Sequence, residues 1–121
     1  MSRQVKSGPG WRLGWDAEAP ECKGLIGNDT WSLELTEAEL EDLCRLATQL
    51  AKTMAQMASQ LMEAEKITCE AESDLIWLEV EGFPDAYGLR FILLTGRRGE
   101  GGWPAETVPE LLQAMQVLKV F

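Results

Sequence analysis

At Leu35 the hydrophobic period of the chain changes from two to about three and a half, and the side chains around that point suit the start of a helix. Thr36 and Glu39 form a Thr-x-x-Glu capping box, while Leu35 and Leu40 occupy the two positions of a hydrophobic staple. Leu40, Leu43, Ala47, Leu50, Met54, Met57 and Leu61 then follow a three-four spacing, widened by Cys44, Leu46, Ala51, Ala58 and Met62. The opposite face carries Glu41, Arg45, Thr48, Lys52, Gln56, Ser59 and Glu63. Such a stripe must be covered, so the rest of the chain has to supply a surface for it. The pattern predicts a helix from Glu37 to about Glu65, roughly 43 Å long. A compact globule of 121 residues is only about 35 Å across. The overhang, Met54, Met57, Ala58, Leu61 and Met62, is expected to be buried by a second copy of the chain in a homodimer.

The segments on either side have the period of strands. Trp11, Leu13 and Trp15 alternate with polar or small residues from Gly10 to Asp16, and Trp31, Leu33 and Leu35 do so from Thr30 to Leu35. A shorter strand is expected around Cys22 to Ile26, before the turn-forming Gly27-Asn28-Asp29. Beyond the helix, Ile67, Cys69 and Ala71 and then Ile76, Leu78 and Val80 suggest a hairpin turning at Ser73-Asp74. That turn sets Ala71 opposite Ile76, Cys69 opposite Leu78 and Ile67 opposite Val80. A third strand runs from Tyr87 to Leu94, with Leu89 beside Leu78 and Arg90 near Trp77. Thr107 and Glu110 form a second capping box, opening a helix that presents Val108, Leu111, Leu112, Met115 and Leu118. The fold class expected is α+β: a curved, mainly antiparallel β-sheet packed on one long central helix, with a short C-terminal helix. No repeat or long linker divides the chain, so residues 1–121 read as a single domain, with Met1 to Ser7 as a loose N-terminal segment.

Composition narrows the chemistry. There is no histidine, which removes the Ser-His and Cys-His nucleophile systems and every zinc site built on imidazole. Cys22, Cys44 and Cys69 are scattered, with no C-x-x-C pair, as in a protein of a reducing compartment. No apolar run is long enough for a signal peptide core or a membrane span, and a cytoplasmic protein is expected. Twenty acidic against 11 basic residues give a net charge of −9, which disfavours diffuse attraction to nucleic acid or to an anionic membrane. No enzyme activity, cofactor or metal is expected.

Two features have the residue types of a binding site. Glu70, Glu72, Glu79 and Glu81 share one sheet face and read as a solvated row balanced by Lys66 and Arg90. The loop Gly96 to Gly102, with Arg97 and Arg98, reads as a connector that also has the makings of an anion cradle. Trp11, Trp15 and Trp31 fall at inward positions, whereas Trp77 and Trp103 are expected to be partly exposed. Arg90, Arg97, Arg98, Trp77 and Trp103 are therefore the candidate contacts if the chain binds single-stranded nucleic acid by stacking and phosphate tracking.

The runs GWRLGW (Gly10 to Trp15), GLIGNDTWSLELT (Gly24 to Thr36), ESDLIWLEVEGFPDAYGLRFIL (Glu72 to Leu93) and WPAETVPELLQAMQVLKVF (Trp103 to Phe121) resemble a family of small uncharacterised proteins of cyanobacteria and plastids. The resemblance spans nearly the whole chain. It implies kinship with the Whirly and positive-cofactor type of single-stranded-DNA-binding regulators: curved antiparallel sheets with helices, assembled as dimers. The basic Lys-Gly-Lys-Ala-Ala-Leu motif of the Whirly family has no counterpart here, so no functional residue carries over. The function expected is that of a non-catalytic dimeric interaction or regulatory protein, with single-stranded nucleic-acid binding as the alternative.

Overall fold

The alternating segments fold as strands in a computed structural model that describes residues 3–58 and 65–118. Strands β1 (Arg3–Gly8), β2 (Trp11–Asp16), β3 (Gly24–Gly27) and β4 (Ser32–Leu35) form one sheet, neighbours in that order. Helix α1 (Glu37–Met57) follows, and then β5 (Ile67–Glu72), β6 (Ile76–Phe83), β7 (Ala86–Leu93) and β8 (Glu100–Trp103) form a second sheet, before helix α2 (Val108–Val117). Every pairing among the described strands is antiparallel. A four-stranded sheet and a helix thus occur twice in succession, because each strand feeds its neighbour through a short turn.

The inner faces of both sheets and the apolar sides of both helices share one core. Leu13, Ile26 and Leu35 come from the first sheet, Leu78, Phe91 and Leu93 from the second, and Leu40, Leu43 and Met54 from α1. The sheets meet at an aromatic seam in which the Trp31, Phe91 and Trp103 rings lie 5.5–5.9 Å apart between centroids. Trp103 also donates its indole N–H to the Gly27 carbonyl at 2.9 Å, tying β8 to β3.

The start of α1 is as specified twice over in the sequence: Glu39 N–H donates to the Thr36 hydroxyl at 3.2 Å, and Thr36 N–H to the Glu39 carboxylate at 2.9 Å. Its end is not where the apolar stripe put it. The helix has 21 residues and is about 32 Å long, with Ala58 as cap, its N–H donating to the Met54 carbonyl. A helix of that length is no longer than a domain of about 35 Å, so among the described residues it leaves no overhang for a second copy to cover. Met54 is 0% exposed and fills the chain's own core, Met57 is half-buried and Ala58 is exposed; Leu61 and Met62 lie outside the described residues.

Four further expectations are corrected. The segment expected to be loose from Met1 to Ser7 is a strand from Arg3 onward, its pairing on β2 running from Arg3 opposite Asp16 to Gly8 opposite Trp11. An edge strand needs no apolar period, because most of its side chains stay in water. In the β5–β6 hairpin Ala71 faces Leu78 and Cys69 faces Val80, two residues away from the expected register. The turn is wider because the Ser73 hydroxyl accepts from the N–H groups of Leu75 and Ile76, which uses Leu75 in the turn. The β6–β7 register moves by the same two residues, placing Leu89 opposite Val80, and since the side-chain period is two, no side chain changes face. Finally, Thr107 and Glu110 form no capping box: Thr107 has helical backbone angles that do not aim its hydroxyl at the helix amides, and Glu110 accepts from the Trp11 indole at 3.3 Å instead. Among the described residues no helix is long and apolar enough to cross a membrane.

Candidate functional site

The registers put Glu70, Glu72, Glu79, Glu81 and Glu100 on the outer face of the second sheet, together with Trp77, Ile92 and Arg90. Glu79 accepts from Arg90 Nε at 2.8 Å, and the guanidinium carbon lies 4.9 Å from the Trp77 ring centroid, stacked on it. The Glu79 hydrogen bond holds Arg90 still more firmly protonated than usual. Lys66 Nζ is 3.7 Å from Glu81. Beside this ridge, Gly88 and Gly102 leave a groove of about 400 Å³ walled by Glu79, Glu81 and Arg90. A side chain at Gly102 would bring its Cβ to 2.9 Å from the Leu89 carbonyl, so close strand approach requires glycine there. Carboxylates outnumber cations on this face, and it attracts positive charge and repels phosphate.

The five sequence candidates for nucleic-acid contact do not converge. Trp77 and Arg90 do meet, but inside the acidic face. Trp103 is only 3% exposed and belongs to the aromatic seam, contrary to its expected exposure, because Gly101 and Gly102 before it let its strand lie close against the Trp31 ring and β7. Arg97 is not available to a phosphate: its guanidinium pairs with the Glu39 carboxylate and donates to the Glu34 carbonyl. Arg98 is exposed at the tip of the turn, in the left-handed region at φ 52°. The loop expected to be a connector is thus clamped to the start of α1, and its second half is β8.

Sequence reasoning passed over the outer face of the first sheet. Arg3 and Lys23 lie there beside Asp16 and Glu34, around a shallow concavity over Gly14 bordered by Val5 and Leu25, and Arg12 is exposed farther along the same face, opposite Ser7 and Gly27. Nothing in the local pattern announces it, since those cations come from three separate segments. Burial pushes the Cys44 thiol up to about 12, so it stays neutral and is a poor nucleophile. Among the described residues no group of three or more acidic or cysteine side chains is arranged to hold a metal ion.

No curated protein matches the chain. Among solved structures it is similar to a protein of unknown function from Prochlorococcus sp. NATL2A, described as a member of the DUF155 family. The two share 32% identity over 93% of this chain and 96% of that one, with a TM-score of 0.88. Residues 6–118 match the family model DUF1818, a domain of unknown function, and the chain belongs to that family.

Proposed function

We propose that the chain is a non-catalytic interaction protein that works as a homodimer and presents the outer face of its second sheet to a positively charged partner segment. The observation that carries this reading is the groove over Gly88 and Gly102, with Glu79, Glu81 and the Arg90–Trp77 stack around it and Glu70, Glu72 and Glu100 on the same face. Backbone at the groove floor and carboxylates at its walls offer an arginine- or lysine-rich strand both hydrogen bonding and charge pairing. The absence of histidine and the neutral Cys44 thiol favour binding over catalysis.

The test is fluorescence anisotropy at low salt with a labelled arginine-rich peptide. Binding should weaken steeply with salt and disappear in the double variant Glu79→Lys, Glu81→Lys, while Glu18→Lys, Glu21→Lys, at exposed carboxylates elsewhere, leaves it unchanged. Failure of the wild type to bind even at low salt removes the reading.

A second reading, single-stranded nucleic-acid binding of the Whirly type, is favoured by the exposed cations Arg3 and Arg12 on the outer face of the first sheet, with Lys23 beside them. It relocates the expected contact surface to that sheet. Labelled single-stranded DNA in the same titration decides it, with Arg3→Glu, Arg12→Glu as the variant that must lose binding.

A further inference from the structure

The two sheets end in edge strands that are defended differently. On β1 the core side of the edge carries Gln4 and Lys6, opposite Trp15 and Leu13, and an inward-pointing lysine discourages any further strand from pairing there. On β5 the core side carries Ile67, Cys69 and Ala71, half-buried and apolar, with no proline or inward charge to protect them. Among the described residues β5 is paired on one side only, with β6. Its hydrogen-bond phase is fixed by Ser73 N–H, which donates to the Ile76 carbonyl at 2.9 Å. Counting back by twos, Ala71, Cys69 and Ile67 direct their backbone groups at β6, so Thr68, Glu70 and Glu72 direct theirs at the open edge.

We infer that β5 is the homodimer contact, pairing antiparallel with β5 of a second copy about a two-fold axis at Cys69. This rests on the dimeric part of the proposed function and is independent of what the acidic face binds. The register follows from charge. An axis at Cys69 sets Lys66 opposite Glu72 of the other copy, twice, with Thr68 opposite Glu70, and it pairs every residue from Lys66 to Glu72. An axis at Glu70 would oppose that carboxylate to itself, and any odd shift would put apolar side chains on the charged face. In the Cys69 register Thr68 and Glu70 exchange the edge hydrogen bonds, Ile67 packs on Ala71 beneath, and the two second sheets become one continuous sheet. Cys69 faces its own copy at a non-hydrogen-bonded position, where Cα atoms lie about 4.5 Å apart, within reach of a disulfide.

That proximity makes the test specific. Light scattering coupled to size exclusion, under reducing conditions, should give twice 13.5 kDa for the full chain. Mild oxidation with copper-phenanthroline should then yield a covalent dimer on a non-reducing gel in the wild type and in Cys22→Ser, and none in Cys69→Ser. Ala71→Lys, which gives β5 the inward lysine that β1 already has, should raise the dimer dissociation constant by at least about tenfold. Thr68→Pro removes an edge N–H without touching the β6 ladder and should act likewise, with circular dichroism confirming that both variants are folded. A monomeric wild type overturns this interface and the dimeric reading together. A dimer that forms no Cys69 cross-link and is unmoved by both variants overturns the β5 interface alone.

Discussion

A carboxylate as deeply buried as that of Glu39, at 2% exposure, must find partners for both oxygens, because an unpaired buried charge costs several kcal/mol. Glu39 takes its partners from three places: the Thr36 N–H at the start of α1, the Thr95 hydroxyl at 3.0 Å and the Arg97 guanidinium. The local half of this set follows from the capping box. The distant half, with Arg97 58 residues away, has no local signal, which is why two adjacent arginines among glycines read as a connector rather than as a clamp. Removing the cation strands the carboxylate, so Arg97→Ala should lower stability by about 2 kcal/mol, a figure kept below that of a fully buried pair because Arg97 is partly exposed. Urea unfolding measures it, and a change within a few tenths of a kcal/mol would return Arg97 to the list of ligand contacts. Cys44 gives a second prediction. Burial raises its thiol to about 12, so the folded state favours the neutral form. The stability contributed is fully present below the unfolded thiol value of about 8.5 and is lost as pH rises toward 12. The urea midpoint should therefore fall between pH 8 and pH 10.5, and fall less in Cys44→Ala, which isolates this group from the lysines and from Tyr87, whose hydroxyl is also raised by burial. Equal slopes would refute the assignment.

Elements separate what is written locally from what is not. Thr36→Ala deletes half of a formed capping box and should cost about 1 kcal/mol, whereas Thr107 makes no side-chain cap bond, so any cost of Thr107→Ser comes from its methyl rather than from capping. Met54→Ala opens a cavity in the core and should cost about 2–5 kcal/mol, while Met57→Ala, one turn on and half-buried, should cost less than about 1 kcal/mol. Thermal melts of the four variants rank these effects; parity between Met54 and Met57 would mean that the end of α1 is buried by something else. The start of α1 was legible because its signals lie within six residues, and its faces were legible because a period of three to four residues survives any error in the end point. The end was not, since apolar periodicity continues past Met57 and no capping glycine or proline marks the stop. The β5–β6 and β6–β7 strands were legible in face but not in register, because alternation is unchanged by a slip of two and only the Ser73 turn distinguishes the choices. β8 was invisible, as Glu100-Gly-Gly-Trp103 has the composition of a loop and is a strand only because Leu89 to Ile92 pair with it. The acidic row and Arg90 near Trp77 were legible as a shared face, but that face read as a solvated row rather than as a site; the groove beside it needed the β7–β8 pairing and could not be read.

At the scale of the whole molecule carboxylates prevail on the outer face of the second sheet, whereas on that of the first Arg3, Arg12 and Lys23 are interspersed with Asp16 and Glu34. A net charge of −9 sets only the average, so it told against a nucleic-acid surface without locating where positive charge would gather. If two copies join through β5, their acidic faces lie side by side on one continuous sheet, and the assembly presents twice the length of carboxylate row that one chain does. A short basic peptide that fills one groove gains nothing from the second copy. A longer basic segment that reaches both grooves binds its second half at a high effective concentration, and avidity then exceeds either contact alone by about 100-fold or more. Wild type and the Ala71→Lys monomer should therefore bind a short arginine-rich peptide equally and differ for a tandem of two such peptides on a flexible linker. Isothermal titration at low salt provides both affinities and the stoichiometry, which should be one tandem peptide per dimer and one short peptide per chain. A tandem that binds monomer and dimer alike, with the short peptide still bound, would show that the two acidic faces do not share a sheet, whatever holds the dimer together.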